Sequence, residues 1–285
     1  MSQATAEAPN AEQIEFWNDV QGDKWVRLQE RTDAMLLPVG HAGIERLAPR
    51  PGERILDIGC GCGTTTMELA ERVGPGGGVL GADISHPMLA HASKRAAASG
   101  NTAGFLEADA QIHDFGEGSY DAVFSRVGVM FFKSPITAFA NLRRAVKQGG
   151  RLTFACWRQR ADNPWLVTMM KIAGQYIELP PPPVIGEPGP FAFANESHVR
   201  PIVEDAGWAD VAFERFDTAL HLGADPEDAT KFVMQMGPVS PLVAEADEKT
   251  RTAIFTDLQA AMAPHADAQG VRMDASIWIV TGKQR

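Results

Sequence analysis

The chain has 285 residues, 45% of them hydrophobic and 22% charged, with a formal net charge of −10. That composition suits an ordinary folded protein with enough apolar material for a core needing no disulfide or metal staple, and it excludes a collagen-like, coiled-coil or wholly disordered chain. The acidic balance disfavours a protein that binds nucleic acid by neutralising phosphates, and the local cluster Arg143, Arg144 and Lys147 reads as a solvated helix face. The three cysteines, Cys60, Cys62 and Cys156, form no disulfide framework and point to a reducing compartment. The opening MSQATAEAPNAEQ has no cationic or apolar region of a secretory leader, and no apolar run approaches the ~20 residues that span a bilayer. The expectation is a cytoplasmic protein.

In chain order, residues 1–12 read as a frayed tail. Residues 13–48 carry apolar residues at helical spacing, among them Ile14, Trp17, Val20, Trp25, Leu28, Met35, Leu36, Ile44 and Leu47. They predict two or three helices, broken near Gly22 and Pro38. From residue 54 short apolar runs alternate with helical stretches: 54–58, 79–83, 103–107, 120–125 and 151–155. Such alternation predicts βαβ units and a parallel sheet covered on both faces. Helix starts are marked by Ser134-Pro135, Asn163-Pro164, Asp225-Pro226 and Ser240-Pro241, with Ser85-His86-Pro87 a looser version. Each places a capping side chain before a proline whose φ is pre-set for the first helical turn. Stops are marked by Gly74 to Gly78, Gly149-Gly150 and Gly207.

Beyond 156 the pattern loosens. The prolines from 180 to 183 cannot be regular structure and predict a lid loop between a helix at 164–178 and another near 196–206. Residues 211–216 and 276–280 alternate like strands, with helices at 226–236 and 241–263 between them. The expected fold is α/β: a Rossmann-like, seven-stranded, mostly parallel sheet whose last strand is antiparallel. The expected division is an N-terminal helical cap (1–48), a ligand-binding core (49–157), a lid or insertion (158–208), and C-terminal strands and helices that complete the sheet (209–285).

The run Ile55-Leu-Asp-Ile-Gly-Cys-Gly-Cys-Gly63, followed by Thr64-Thr-Thr-Met, is a buried strand, a glycine-rich turn and a helix start. Gly59, Gly61 and Gly63 would let backbone approach a ligand with no Cβ in the way, beside the unpaired N–H groups of the helix. A dinucleotide fingerprint, G-x-G-x-x-G, would need glycine at 64 or 66, where the chain has Thr64 and Thr66. Asp57 would also set like charge beside a pyrophosphate. The run instead resembles the first motif of class I S-adenosylmethionine (SAM)-dependent methyltransferases.

That resemblance continues in order from 53 to 157. It implies that Asp57, Gly59, Cys60 and Gly61 hold SAM, and that Asp83, at the end of the second strand, accepts the ribose hydroxyls. Ile84 and Met88 would lie against the adenine ring, the plainer alternative being core packing. Asp109 would accept from the adenine amino group and Ala110 would reach a ring nitrogen; a turn-forming aspartate is the alternative. Ser125 and Arg126 would face the methionine end, and Val127 to Phe132 would either wall an acceptor pocket or simply fill core. The opening segment resembles the N-terminal helix of ubiquinone and menaquinone-biosynthesis methyltransferases. That likeness puts Trp17 and Trp25 either against the sulfonium, a cation–π contact of about 0.5–2 kcal/mol, or in packing of the helix.

The implied activity is methyl transfer from SAM to a small-molecule acceptor, leaving S-adenosyl-L-homocysteine (SAH). A nicotinamide-dependent oxidoreductase and a non-catalytic SAM-binding protein are the alternatives. Cys60 and Cys62 lack further ligands at metal spacing, so no metal is expected. No catalytic base is evident; among seven histidines His41 and His198 are the first to test.

Overall fold

The computed structural model describes residues 10–179, 181, 184, 186–237 and 239–285. Most of the expected tail, and Pro180, Pro182 and Pro183 of the proline run, lie outside these residues. The chain opens with helices α1 (Ala11–Asn18), α2 (Val20–Arg27) and α3 (Gln29–Leu47). There follow β1 (Arg54–Ile58), α4 (Thr64–Val73), β2 (Gly78–Asp83), α5 (His86–Ser99), β3 (Gly104–Glu107), β4 (Tyr120–Arg126), α6 (Pro135–Ala145) and β5 (Val146–Trp157). The C-terminal part holds α7 (Pro164–Ala173), α8 (Glu196–Asp205), β6 (Ala209–Gly223), α9 (Pro226–Val233), α10 (Ser240–Glu245), α11 (Glu248–Met262), β7 (Ala266–Asp267) and β8 (Gly270–Lys283).

The strands form one sheet in the order β3-β2-β1-β4-β5-β8-β6. The first five run parallel, β8 is antiparallel to β5, and β6 is antiparallel to β8. The seven expected strands are thus present, joined by an eighth, the two-residue β7, which pairs with β8. β6 and β8 are far longer than the 211–216 and 276–280 read from alternation. Their mutual pairing carries the ladder into residues that alternate poorly.

Both sheet faces are covered, as parallel strands require. Along β1 and β4, Ile55, Ala122 and Phe124 join Ile44 and Leu47 of α3 and Leu69 and Val73 of α4 in one buried cluster. Leu56, Ile58 and Val123 belong to the larger core with Phe139 and Leu142 of α6 and Phe154 of β5. The period of two along each strand produces this division.

Two expected breaks are corrected. Helix α3 runs straight through Pro38, whose neighbours Leu36 and Val39 are fully buried. Packing against the sheet overrides the cost of a missing N–H. The real interruptions fall at Asp19 and Leu28. Gly22 lies inside α2 because of a close approach: a Cβ there would meet the Trp17 carbonyl at 2.3 Å, Pro87 at 2.7 Å and Ser85 at 2.9 Å.

The capping expectation holds at Asp225, which accepts from Asp228 N at 2.9 Å. It fails at Ser134 and Ser85, whose side chains accept no helix N–H, and at Ser240, which is the first residue of its helix. Asn163 instead exchanges hydrogen bonds with Ser276 N and O (3.1 and 3.2 Å), tying the start of α7 to β8. The expected 164–178 helix stops at Ala173, where Leu179 folds back onto Gly174. The expected 241–263 helix is two, because Asp247 caps Thr250 N at 2.7 Å and starts α11. Gly149 and Gly150 lie in β5 and end no helix; α6 stops at Ala145.

The N-terminal helices are stapled to the loop after β2. Asn18 Nδ2 donates to Ile84 O (2.7 Å), His86 N donates to Asn18 Oδ1 (2.8 Å), and Ser85 Oγ donates to Trp17 O (2.7 Å). Adding a methyl group at Gly22 must spread this seam, at a cost on the order of 1–3 kcal/mol. Gly22→Ala should therefore speed amide exchange across 11–27 by at least about tenfold while leaving β1 and β4 as protected as before. Unchanged exchange in α1 and α2 would show that the seam does not hold them.

Candidate active site

The strand order reverses between β1 and β4, which is where a doubly wound sheet opens a crevice beyond its carboxyl ends. Here the loops after these two strands cross in contact. A Cβ on Gly59 would stand 2.8 Å from Gly128 Cα, and a Cβ on Gly128 would stand 2.9 Å from Gly59 Cα. Val127, just before the crossing, is held at φ 54°, a left-handed conformation unusual for a β-branched residue.

This corrects part of the sequence reading. Gly59, Gly61 and Gly63 all have positive φ, but only one of them is bare toward a ligand. Gly59 is bare because of Gly128, and Gly63 because Phe105 and Ala92 press on it at 2.7–2.9 Å. Beside Gly61 the nearest atom to an added Cβ is Met88 Sδ at 3.7 Å. Gly61 lines a cavity of about 200 Å³.

Of the expected site residues, the structure brings Trp17, Trp25, Gly59, Cys60, Gly61, Asp83, Ile84, Met88, Asp109 and Ala110 to the wall of this one cavity. Asp83 is oriented by Gly61 N on one oxygen (2.8 Å) and Ser85 N on the other (2.9 Å), and burial raises its pKa. Asp109 accepts from Gln111 N (3.0 Å) and Gln111 Nε2 (3.2 Å). Asn141 fixes the same loop by donating to Ala110 O and His113 O. Trp17 meets Trp25 and Phe131 edge-on, at centroid distances of 5.9 and 5.3 Å. Burial pushes the Cys62 thiol up to about 12 and the Cys60 thiol well above its usual range, so both present small neutral groups.

Asp57 and Ser125 are not brought to the wall. Both are fully buried behind it. Asp57 Oδ2 accepts from Thr65 Oγ1 (2.8 Å) and Thr66 Oγ1 (2.7 Å), which holds the first turn of α4 against β1, while its Oδ1 has no partner among the described residues. Ser125 Oγ accepts from Gly128 N at 3.3 Å and supports the crossing. His41 and His198 do not line the cavity.

Asp33 is a site residue that sequence reading missed. It looked like one more polar position on a helix. In the fold α3 carries it over the glycine loop, where it lines the cavity beside Arg126. Asp33 pairs with Arg126 Nη2 at 3.0 Å and Arg95 Nη1 at 3.6 Å, and accepts from Gln29 Nε2 and Thr64 Oγ1. Burial opposes its ionisation, but these partners outweigh it and hold the pKa below the usual value. The i,i+4 pair Gln29 and Asp33 was visible in the sequence, yet nothing there distinguishes it from a solvated pair.

Residues 55–150 match the family described as "Methyltransferase domain". The chain is 43% identical over 100 residues to a demethylmenaquinone methyltransferase of Thermus thermophilus, across 35% of this chain and 45% of that protein. It is 35% identical over 116 residues to nocamycin O-methyltransferase of Saccharothrix syringae, across 40% of this chain and 41% of that protein. These matches thus span less than half the length of either relative. The fold superposes on phosphoethanolamine N-methyltransferase 2 of Haemonchus contortus with a TM-score of 0.58 at 16% identity, covering 99% of this chain and 61% of that one. Residues 55–150 therefore carry a methyltransferase domain of the class I SAM-dependent kind. Among the described residues no helix is long and apolar enough to cross a membrane.

Burial pushes the Asp57 carboxyl up to about 6 against the pull of Thr66 and Thr65. The folded chain thus favours the protonated form. The stability this group contributes is complete below its ordinary value near 3.8 and is lost as pH rises through about 6. Asp57→Asn, neutral throughout, should gain on the wild type by about 2–3 kcal/mol between pH 4 and pH 7.5 in the ligand-free protein. Denaturant melts at the two pH values check this; a constant difference would mean that folding does not raise the Asp57 pKa.

Proposed function

We propose that this chain transfers a methyl group from SAM to an apolar, ring-bearing small molecule. The observation that carries the reading is a single cavity with two chemistries. One end is polar, built from Gly61, Asp83, Asp109, Ala110, Asp33 and Arg126. The other is apolar and largely aromatic, built from Met35, Leu36, Met130, Phe131, Trp157, Trp165 and Phe191.

The polar end fits SAM piece by piece. Asp83 keeps lone pairs free on both oxygens for two ribose hydroxyls. Ile84 and Met88 offer apolar contact to the adenine, and Asp109 an acceptor for its amino group. Arg126 and Asp33 offer opposite charges to the α-carboxylate and α-ammonium. Bare peptide at Gly61 leaves room for the ligand, and Trp17 and Trp25 cover it from the N-terminal helices. Asp57 and Ser125 serve from behind, as supports of the glycine loop and of the crossing.

When bound, SAM supplies a methyl group already activated by its positive sulfur. The protein's task is then to position the acceptor and exclude water, and positioning can contribute about 7–11 kcal/mol. The aromatic end does both. Among its described lining residues none is a carboxylate, lysine or histidine, and positioning is the contribution these residues can make. The two named relatives act on demethylmenaquinone and nocamycin by their names, and an apolar chamber for a small molecule agrees with both. A net charge of −10 agrees with an acceptor that is not a nucleic acid.

Calorimetry with SAM, SAH and NADH tests the cofactor, and transfer of labelled methyl to a panel of ring compounds tests the reaction. NADH binding without SAM binding would overturn the reading; SAM binding with no transfer to any ring compound would leave a binding protein. Asp83→Ala should weaken SAM binding by about 1–3 kcal/mol with the thermal midpoint little changed, the scale of hydrogen bonds lost from a charged group. Unchanged affinity would remove Asp83 from the site.

A further inference from the structure

Asp33 divides its two oxygens between the cavity and the protein behind it. Oδ1 accepts from Arg126 Nη2 at 3.0 Å, and both residues line the cavity. Oδ2 is held by three other elements at once. Gln29 Nε2 of α3 donates to it at 2.5 Å, Thr64 Oγ1 at the start of α4 donates to it, and Arg95 Nη1 of α5 stands 3.6 Å from it. The same Arg95 nitrogen donates to Thr64 Oγ1 (2.8 Å) and to Cys62 O in the glycine loop (2.5 Å). Arg95 itself is not in the cavity wall. It is a cation set behind a cavity-lining carboxylate and tied, through one atom, to the loop that carries Gly61. A carboxylate with one oxygen saturated from behind is not free to turn, so its other oxygen is offered at a fixed place.

We propose that Arg95 is a positioning residue for the amino-acid end of the cofactor, acting through Thr64 and Asp33. By clamping Oδ2 it fixes Oδ1 where the α-ammonium of SAM or SAH is met, beside the Arg126 guanidinium that meets the α-carboxylate. Without the clamp Asp33 can turn both oxygens onto Arg126, and a bidentate pair closed on itself withdraws both charges from the ligand. The adenosine end has no such dependence, because Gly61 N and Ser85 N orient Asp83 and Gln111 orients Asp109. This role rests on the SAM reading above and extends it to a residue that touches no ligand.

The test measures SAH and 5′-methylthioadenosine by calorimetry on the full chain. The second ligand keeps the adenosine and the sulfur and lacks the amino acid. Arg95→Met keeps an apolar stem and removes the cation. It should weaken SAH by about five- to tenfold and leave 5′-methylthioadenosine within about twofold. Asp33→Asn should show the same selectivity, and adding Arg95→Met to it should cost less than about twofold more, because the two residues act as one unit. A loss shared by both ligands marks Arg95 as a general support of the glycine loop and overturns its role. So does an unchanged affinity for SAH, or a double variant whose losses multiply. If the wild type binds both ligands equally, the reading of Asp33 and Arg126 falls and takes the proposal with it, while the adenosine site stands. If it binds neither, the SAM reading falls first.

Discussion

The arrangement of the whole cavity depends on two loops crossing with no side chain between them. Gly59 after β1 and Gly128 after β4 approach so closely that a Cβ on either would collide with the other's backbone. The crossing sits at the point where the strand order reverses, and it closes the floor between the two halves of the sheet. On one side the chain turns through Gly61 into α4, and on the other it turns through Val127 into the segment ending at Phe132. A larger residue at either glycine would separate the polar and apolar ends that the crossing brings together. The left-handed Val127 is part of the same constraint, since strained backbone persists where the surroundings over-determine it.

Around that floor the electrostatics are layered by burial. Asp57, fully enclosed, sits closer to neutrality than a free carboxylate, and its two threonine hydroxyls tie strand to helix. Asp33, with two guanidinium groups and two neutral donors, stays charged within a nearly enclosed site. Two aspartates are thus pushed in opposite directions by their settings. Asp83, buried like Asp57, is pushed the same way, so it is the guanidinium and hydrogen-bond partners around Asp33, not burial, that keep one carboxylate below its usual value here.

The sequence made the βαβ core legible because local rules dominate there. Asp83 stands at a strand end, Gly63 begins a helix, and strand faces alternate, all within short windows. Legibility failed where distant parts decide. Pro38 stays helical because α3 buries Leu36 and Val39 on either side of it. Gly22 marks no break because the loop at Ser85 and Pro87 presses on it. Asp33 reaches the cavity only because α3 packs beside the start of α4, where Asp33 accepts from Thr64 Oγ1. Asp57 and Ser125 stand in the matched run, but their side chains are buried behind the cavity wall, Asp57 against Thr65 and Thr66 and Ser125 against Gly128.

The division between legible and illegible follows the division of labour in the cavity. Residues 55–150, which match the methyltransferase domain, supply the glycine loop, Asp83, Asp109 and Arg126. Most of the aromatic end comes from outside that stretch: Met35 and Leu36 precede it, and Trp157, Trp165, Leu166, Phe191 and Met236 follow it. A cofactor of fixed shape demands fixed spacing, so its contacts leave a pattern along the chain. An apolar acceptor demands only enclosing surface, which tryptophans and methionines from several helices and loops can provide at almost any spacing. Such residues look like core in a sequence because their physical role, excluding water, is the same. What separates them from core is that they line one cavity, and that is visible only once the fold has brought them together.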